Sequence, residues 1–263
     1  MQKYIELFRL TVDQYFIYRI NFLLWRFRMV LNLLIVYFLW TAVYDNTRIA
    51  FGYDKPEMIT YVLLISIFSD LVFSSIVFEI GAEILNGDII NRLLRPMSFF
   101  KYLLTKEVAD KSINVTSSLI ETTLLLLLLK PALVAPESAF VVVVAAVHLL
   151  LGMVMAFLIS FCLSMIAFWS AEVWAPRFIY FVLVTMLAGN YFPLNILPAP
   201  IYSVIQLSPF PYFVFLPAQL LVQGFSNYNP VSIVIQLFWV GILYVAASKL
   251  WQKGMREYSF YGR

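Results

Sequence analysis

Apolar residues along this chain fall into long runs, and most charged residues lie between those runs. Runs of about 20 apolar residues have the length of membrane-spanning helices. The sequence predicts six such spans, at about 29–44, 58–78, 112–129, 138–169, 173–194 and 231–248. We expect Arg26 and Arg28 to extend the first span and to snorkel to the membrane interface. The pattern predicts an all-α membrane protein with one transmembrane domain over residues 1–263.

The residues before the first span predict a different kind of helix. Glu6, Arg9 and Asp13 share one face, and apolar residues recur at helical spacing on another. The apolar set is Ile5, Phe8, Val12, Tyr15, Phe16 and Ile20. Residues 1–26 are therefore predicted to form an amphipathic helix that lies in the membrane interface. A ragged extension of the first span is the alternative.

The segment 80–96 reads I-G-A-E-I-L-N-G-D-I-I-N-R-L-L-R-P and follows the first two spans, which together occupy about 29–79. One face of a helix here would carry Leu85, Ile89, Ile90, Leu93 and Leu94, and the opposite face Asp88, Asn91, Arg92 and Arg95. An i, i+4 pair of Asp88 and Arg92 would stabilise that helix by about 0.2–0.5 kcal/mol. Because the segment is too short and too charged to cross a bilayer, it is predicted to be a docking helix.

Residues 195–230, between the fifth and sixth spans, contain no charged residue, and seven of the 12 prolines lie between Pro193 and Pro230. Two short apolar pieces, at about 199–207 and 212–222, cannot cross a membrane, and the prolines prevent one continuous helix. Such a segment is predicted to dip into the outer leaflet and return, with its backbone shielded by neighbouring protein. An ordinary aromatic-rich external loop is the alternative.

Composition and charge support a multi-pass membrane protein and indicate its orientation. The chain is 62% hydrophobic and 13% charged, about half the charged share of a soluble domain. Fifteen of the 18 Lys and Arg residues lie before the first span, in the 79–111 and 170–177 loops, and in the tail from Lys249 onward. The positive-inside rule then predicts that both termini lie in the cytoplasm. We expect the protein to lie in the cell (inner) membrane. Spans three to five occupy about 104–194, the sixth 231–250, and a cytosolic tail 251–263.

Candidate chemistry within the spans is sparse. No phosphate-binding G-x-x-x-x-G-K-[ST] motif is present, and one histidine and one cysteine argue against a metal cluster. Asp70 and Glu121 lie within predicted spans, Glu79 lies at the inner end of the second, and His148 lies in the fourth. Ionisable groups at that depth are functional candidates by default, so Asp70, Glu121 and His148 are candidates for a substrate pathway. Hydrogen bonds to polar residues of neighbouring helices are the alternative; the nearby hydroxyls belong to Ser66, Ser69, Ser74, Thr122 and Thr123.

The fourth span carries a small residue every four positions: Gly152, Ala156, Ser160 and Ser164. Such a stripe lets another helix approach closely. We expect helix packing along it, either within the chain or with a second subunit, and a substrate path along the small residues is the weaker interpretation.

The architecture and two local motifs resemble the ABC type-2 transporter permeases. The stretch E-I-G-A-E-I-L-N-G-D-I-I-N-R-L-L-R-P (Glu79–Pro96) is similar to the cytosolic segment of the multidrug, antibiotic or viologen export-like branch. The tail W-Q-K-G-M-R-E-Y-S-F-Y-G-R (Trp251–Arg263) resembles the ending of that branch. The resemblance covers essentially the whole chain, and it is more informative about the family than about the substrate.

The resemblance implies the membrane half of an ATP-driven exporter for a hydrophobic or amphipathic substrate. The chain would need no cofactor and no nucleic acid, whereas ATP and Mg would bind to a dimer of separate ABC ATPase subunits. A second permease, identical or related, would complete the pathway among the membrane lipids. The segment 83–95 would be the coupling helix, with Glu83, Asp88, Asn91, Arg92 and Arg95 as the residues that meet the ATPase.

Three other functions remain open at the level of sequence. An ion-coupled secondary transporter would use Asp70 and Glu121, but it should show repeated halves with broken helices. A lipid-modifying enzyme would need more polar groups in one cavity than the chain offers. A membrane scaffold that transports nothing would share the same composition.

Overall fold

A computed structural model describes residues 2–45, 47–73, 76–226 and 228–258. The described chain is mostly helical, and eleven α-helices lie in it. They are α1 (Gln2–Ile17), α2 (Arg19–Val43), α3 (Lys55–Val72), α4 (Ile76–Leu85), α5 (Ile89–Leu93), α6 (Phe99–Leu129), α7 (Ala139–Met165), α8 (Trp174–Leu187), α9 (Ala199–Ile205), α10 (Phe215–Gln223) and α11 (Val231–Glu257). Short 3-10 helices lie at Ile166–Phe168, Leu194–Ile196 and Phe210–Tyr212. Ser74, one of the hydroxyls considered above, and the tail residues 259–263 lie outside the described residues.

Five helical stretches of the described chain are long and apolar enough to cross a membrane. They are Arg19–Val43, Lys55–Leu85 (α3 and α4, on either side of the undescribed residues 74 and 75), Phe99–Leu129, Ala139–Phe168 and Val231–Glu257. The third begins 13 residues before the predicted span, because α6 continues through a polar stretch that packs against other helices. Its 31 residues correspond to about 46 Å, well beyond the roughly 30 Å of a hydrocarbon core.

The fifth predicted span, 173–194, contains only the 14-residue helix α8. The segment nevertheless follows α4 and α3 in the reverse direction. Arg177 donates to the carbonyl of Phe78, Asn190 accepts from Ser69, and the carbonyl of Gly189 accepts from Tyr61. Further along, the side chain of Asn195 accepts from Tyr53.

Helices α7 and α11 run in the same direction. His148 near the start of α7 contacts Gln236 near the start of α11, and Phe161 near the end of α7 contacts Trp251 near the end of α11. Because these two helices are parallel, the chain between them must return to the side on which α7 begins.

The proline-rich segment 195–230 folds into short helices that pack inside the protein. Almost every residue of α10 is buried, and α10 lies against α3 and α7. The indole of Trp239 on α11 donates to the carbonyl of Leu207, and the amide of Gln223 donates to the carbonyl of Gly52. The two short apolar pieces at about 199–207 and 212–222 overlap α9 and α10, and neighbouring protein surrounds α10.

A small β-hairpin precedes α3, although the sequence predicted no strand. Strands β1 (Ile49–Ala50) and β2 (Tyr53–Asp54) pair antiparallel around Phe51 and Gly52. Both turn residues have positive φ, as a two-residue hairpin turn requires. The following α3 begins with a capping box, in which Asp54 and Glu57 each accept a hydrogen bond from the other's backbone N–H.

Helix α1 packs along the polar first half of α6. The hydroxyl of Tyr15 donates to Asp110, and Lys3 donates to the carbonyl of Pro96. Desolvation and the nearby charge of Asp110 both raise the pKa of Tyr15. The opposite side of α1 leaves large apolar side chains such as Leu10 and Phe16 exposed. The exposed side of α1 thus carries apolar residues too, so α1 is not divided into one apolar and one charged face as predicted.

Candidate functional site

The segment after the second span forms an elbow, which we define as residues Glu83–Arg95. Helix α4 ends at Leu85, Gly87 adopts a φ of +80°, and α5 begins at Ile89. The prediction of one continuous helix over 80–96 is therefore wrong. The Asn-Gly pair at 86–87 is a turn signal, since both residues tolerate left-handed backbone, and it outweighs the helical periodicity around it.

Arg92 reaches back across the elbow to Glu83 rather than pairing with Asp88. Its Nε and Nη2 donate to the Glu83 carboxylate over 2.6–3.1 Å, and Nη1 hydrogen-bonds the hydroxyl of Tyr102 on α6. Burial lowers the pKa of Arg92, but the hydrogen bonds and charge of Glu83 outweigh it and raise the pKa above its usual value. Arg92 therefore stays charged, and the pair holds the two arms of the elbow together.

The outer surface of the elbow is mixed apolar and polar. Ile89 is fully buried, whereas Leu94 is 78% exposed and Leu85 and Leu93 are also exposed. Three polar residues predicted to meet a partner are exposed as well: Asp88, Asn91 and Arg95. The predicted apolar face is thus divided, since Ile89 anchors the elbow in the protein while the leucines point outward. We call the exposed set Leu85, Asp88, Asn91, Leu93, Leu94 and Arg95 the outer face of the elbow.

A hydrophobic core fixes the elbow to the rest of the molecule. Ile89 packs in it together with residues of α4, α6, α7 and α11. The members include Val77, Ile80, Ile84, Tyr102, Leu103, Phe161, Met165 and Ala247, with Trp251 and Tyr258 packed against them. Close packing at Gly81 against the guanidinium of Arg177 links α4 to α8 as well. A force on the elbow would therefore be transmitted to several spans.

The two acidic residues predicted within spans, Asp70 and Glu121, meet at one cation. The guanidinium of Arg26 on α2 donates from Nε and Nη2 to Glu121 over 2.7 and 2.5 Å, and from Nη1 to Asp70 over 2.9 Å. Arg26 is only 5% exposed, so it does not snorkel. The pairing supplies the partner that an ionisable group needs in an apolar medium.

A second buried cation supports the end of α3. The ammonium of Lys111 on α6 donates to the carbonyls of Leu71 and Val72 in the last turn of α3, where carbonyls commonly need a partner outside the helix. Lys111 also pairs with Glu107 at 3.2 Å. Sequence reasoning missed the roles of both Arg26 and Lys111, although two acids within spans already called for a cation nearby.

His148 is fully buried in a polar network between α7 and α11. The Nε2 of Gln236 donates to the carbonyls of His148 and Tyr212 over 3.0 Å, so its Oε1 is left to accept. The Nδ1 of His148 therefore carries the proton and donates to that oxygen, and Nε2 accepts from Tyr228 at 3.0 Å. The ring has its hydrogen-bonding capacity filled by the protein itself.

The small residues of α7 lie against elements of the same chain. A Cβ on Gly152 would approach the carbonyl oxygens of Phe213 and Tyr212 to 2.9 and 3.0 Å. The hydroxyl of Ser164 donates to the carbonyl of Val77 at 2.9 Å. Ala156 and Ser160 are buried between these two points. Within the described residues, no group of three His, Cys, Asp or Glu side chains is placed to hold a metal ion.

A comparison with protein families decides the family. Residues 30–262 match the model of the ABC-2 family transporter protein. The chain belongs to the ABC-2 transporter family. The resemblance stated from the sequence is confirmed at that level. No curated protein matches the chain significantly.

Membership in the family indicates what kind of protein this is. Together with the apolar helices, it makes the chain a multi-pass membrane protein and a permease. Permeases of this family are generally non-enzymatic and in general imply an ABC ATPase partner. The match takes in the elbow, Asp70 and Glu121, while α1 and Arg26 precede the matched residues.

Proposed function

We propose that this ABC-2 permease is the membrane subunit of an ATP-driven exporter that moves a hydrophobic or amphipathic substrate out of the cytosol or inner leaflet. ATP and Mg would bind to a separate dimer of ABC ATPase subunits. The observation that carries the proposal is the elbow: a braced turn whose outer face remains uncovered at the end of the second span.

The outer face of the elbow has the character of a protein docking site. The exposed leucines 85, 93 and 94 offer an apolar centre. Asp88, Asn91 and Arg95 offer polar contacts around it. Interfaces commonly combine an apolar core with a polar rim. Glu83 and Arg92, which the sequence suggested as ATPase contacts, are proposed instead to keep the elbow rigid, because they are occupied with each other.

Six crossings with both termini in the cytoplasm of the inner membrane follow from the same proposal. The segment 177–195 would make the fifth crossing, since its contacts run from Phe78 to Tyr53 and it connects two parallel helices. The excess of basic residues supports a cytosolic position for the elbow, α1 and the end of α11. Helix α1 would lie in the inner interface, and the 195–230 segment would be re-entrant from outside.

Helix α8 is the proposed contact with a second permease. One side of α8 faces the chain through Arg177, Tyr180 and Val184. The other side exposes large apolar residues, including Trp174, Phe178 and Phe181. In the proposed exporter this side would lie against a second copy or a related permease, and the pathway would lie between the two.

The mechanism is a two-state one. ATP binding would bring the ATPase subunits together and move the attached elbows, and the shared core would carry that motion to α4, α6, α7 and α11. The direction of transport then depends on ATP binding more tightly to one conformation than to the other. Asp70, Glu121 and His148 remain candidates for the pathway only in a conformation in which their present ion pairs and hydrogen bonds are broken.

The test is reconstitution of this permease with a candidate ABC ATPase subunit from the same genome. We expect the pair to purify together, and ATP hydrolysis to rise with some members of a panel of lipids and amphiphiles. An ATPase variant that cannot hydrolyse ATP should bind the permease but move no substrate. Transport driven by an ion gradient without ATP, or failure of the two proteins to associate, would contradict the proposal.

A further inference from the structure

A groove of about 320 Å³ lies between α6, α7 and α11, at the ends of these helices nearest the elbow. Its walls are mostly aromatic and include Phe100, Phe157, Phe161, Tyr244 and Trp251. The base of the groove is part of the core that holds the elbow, since Phe161 is only 2% exposed. The rim is open, because Phe100 is 49% exposed and Tyr244 is 64% exposed. In a multi-pass membrane protein, an opening between three long apolar helices faces lipid.

Four polar side chains of α11 line the groove without being used by the protein. They are Tyr244, Ser248, Trp251 and Gln252, and none of them hydrogen-bonds another residue in the described part of the chain. By contrast, the indole of Trp239, earlier on the same helix, donates to a backbone carbonyl. Polar groups beside an apolar medium are normally hydrogen-bonded. The groove therefore suits an apolar ligand that also carries hydrogen-bond acceptors.

The rim of the groove is basic. Lys101 directly follows a lining phenylalanine of α6, and Lys249 and Arg256 lie within one turn of lining polar residues of α11. All three are exposed, and none forms an ion pair within the described residues. Helix α7 and the first two turns of α6 contain no acid, and the one acid of α11, Glu257, lies 3.9 Å from Lys253. The mouth of the groove thus carries positive charge that complements an anion.

We propose that this groove binds one anionic phospholipid. An acyl chain would lie against the aromatic walls, the ester oxygens would accept from Trp251 and Ser248, and the phosphate would lie near Lys101 and Lys249. Basic pockets between membrane helices recognise anionic headgroups in this way. A zwitterionic lipid could fill the same walls, but the basic rim repels its ammonium group. The site goes beyond the proposed exporter function and does not depend on it, since it requires only that the chain lies in a membrane.

The test measures the thermal unfolding midpoint of the purified full-length permease in detergent, without any ATPase. Phosphatidylglycerol and phosphatidylcholine with identical acyl chains are titrated separately at constant ionic strength. Phosphatidylglycerol should raise the midpoint by roughly 3–5 °C per tenfold increase in its concentration above the dissociation constant. Phosphatidylcholine should need a roughly tenfold higher concentration for the same shift. Inorganic phosphate should cause no shift, because it lacks the acyl chain that fills the groove.

Two variants separate the walls of the groove from its rim. Ser248→Phe fills the groove and should abolish the shift with phosphatidylglycerol, whereas Thr123→Phe, at an exposed hydroxyl of α6 outside the groove, is the matched control. The double variant Lys101→Gln with Lys249→Gln should reduce the response to phosphatidylglycerol to that of phosphatidylcholine. Lys130→Gln, at an exposed lysine beyond the other end of α6, should respond like the wild type. Both lysines of the double variant are exposed, so it remains the test if Ser248→Phe does not fold.

Equal midpoint shifts with the two lipids would overturn the inference, as would a shift with inorganic phosphate alone. A response to phosphatidylglycerol that survives in both the Ser248→Phe and the double glutamine variants would also overturn it. Weaker self-association of Ser248→Phe with an unchanged lipid response would show instead that a second chain occupies the groove. Loss of ATPase association would produce none of these results, so the lipid site and the exporter function fail separately.

Discussion

At the scale of single residues, the buried charges show most clearly how the apolar medium constrains the chain. Arg26 lies in the first half of α2, where neighbouring apolar side chains such as Trp25 and Phe27 are exposed, and it is buried because Asp70 and Glu121 converge on it. Each charge is tolerated because of the others. Removing the guanidinium of Arg26 would leave the two carboxylates facing each other without a counter-charge.

Arg26→Gln should therefore be strongly destabilising. Breaking a buried ion pair from one side costs about 3–5 kcal/mol, since it leaves uncompensated charge. Arg28→Gln is the matched control, because Arg28 is exposed and its guanidinium lies over the ring of Trp25, 4.2 Å from the ring centroid. Denaturant or thermal unfolding in detergent measures both. Equal stability of the two variants would show that the cluster contributes no structural free energy.

The sequence was sufficient to single out Asp70 and Glu121 but not the residue that joins them. Their depth follows from the length of apolar runs, which is local information. The partner lies 44 residues before Asp70 and 95 residues before Glu121, so its identity depends on how α2, α3 and α6 pack. Position alone placed Arg26 at the membrane interface, because a basic residue near a span end ordinarily lies there.

At the scale of elements, boundaries were the least predictable feature. The predicted starts of the spans that contain α7 and α11 agree with the observed helix starts to within one residue. Ser138 and Pro230 directly precede these two helices. The polar first half of α6 was missed because its charged residues pair with α1, α4 and α3 rather than with water. The elbow was misjudged because the Asn86–Gly87 turn interrupts a pattern that remains periodic on both sides of it.

The close approach of α7 to the 212–213 backbone leads to a prediction about Gly152. Gly152→Ala places a Cβ about 3 Å from two carbonyl oxygens, and backbone atoms cannot rotate away as a side chain can. We expect a loss of about 1–3 kcal/mol in stability. Gly241→Ala on α11 meets nothing within 4 Å and should be neutral or stabilising by up to about 1 kcal/mol. Thermal unfolding of the two variants side by side decides the point, and a neutral Gly152→Ala would refute the tight packing.

At the scale of the whole molecule, the chain combines two cores with different roles. One surrounds α3, α7 and α10, where the proline-rich segment fills the space between helices. The other joins the elbow to the ends of α6, α7 and α11. The core that includes the elbow lies at the end that the exporter proposal assigns to the ATPase. The other core lies where the uncharged segment 195–230 is folded inward.

Sidedness is testable by cysteine labelling in a Cys162→Ser background. Asn91→Cys lies on the outer face of the elbow, and Ala132→Cys lies in the loop between α6 and α7; both positions are exposed. A membrane-impermeant maleimide added to intact cells should label position 132 and should reach position 91 only after the membrane is permeabilised. Labelling of position 91 in intact cells would reverse the proposed orientation.

The most direct test of the exporter proposal is the affinity of the ATPase for the permease with the elbow altered at Leu94. Leu94→Asp places a charge in the apolar centre of the outer face, and loss of an interface hot spot of about 2 kcal/mol corresponds to a roughly 30-fold weaker Kd. Leu133→Asp, at an exposed leucine in the loop between α6 and α7, is the matched control and should bind like the wild type. Binding measured in nanodiscs should fall for Leu94→Asp alone. Unchanged affinity for Leu94→Asp, with the variant folded, would contradict the assignment of the elbow as the coupling site.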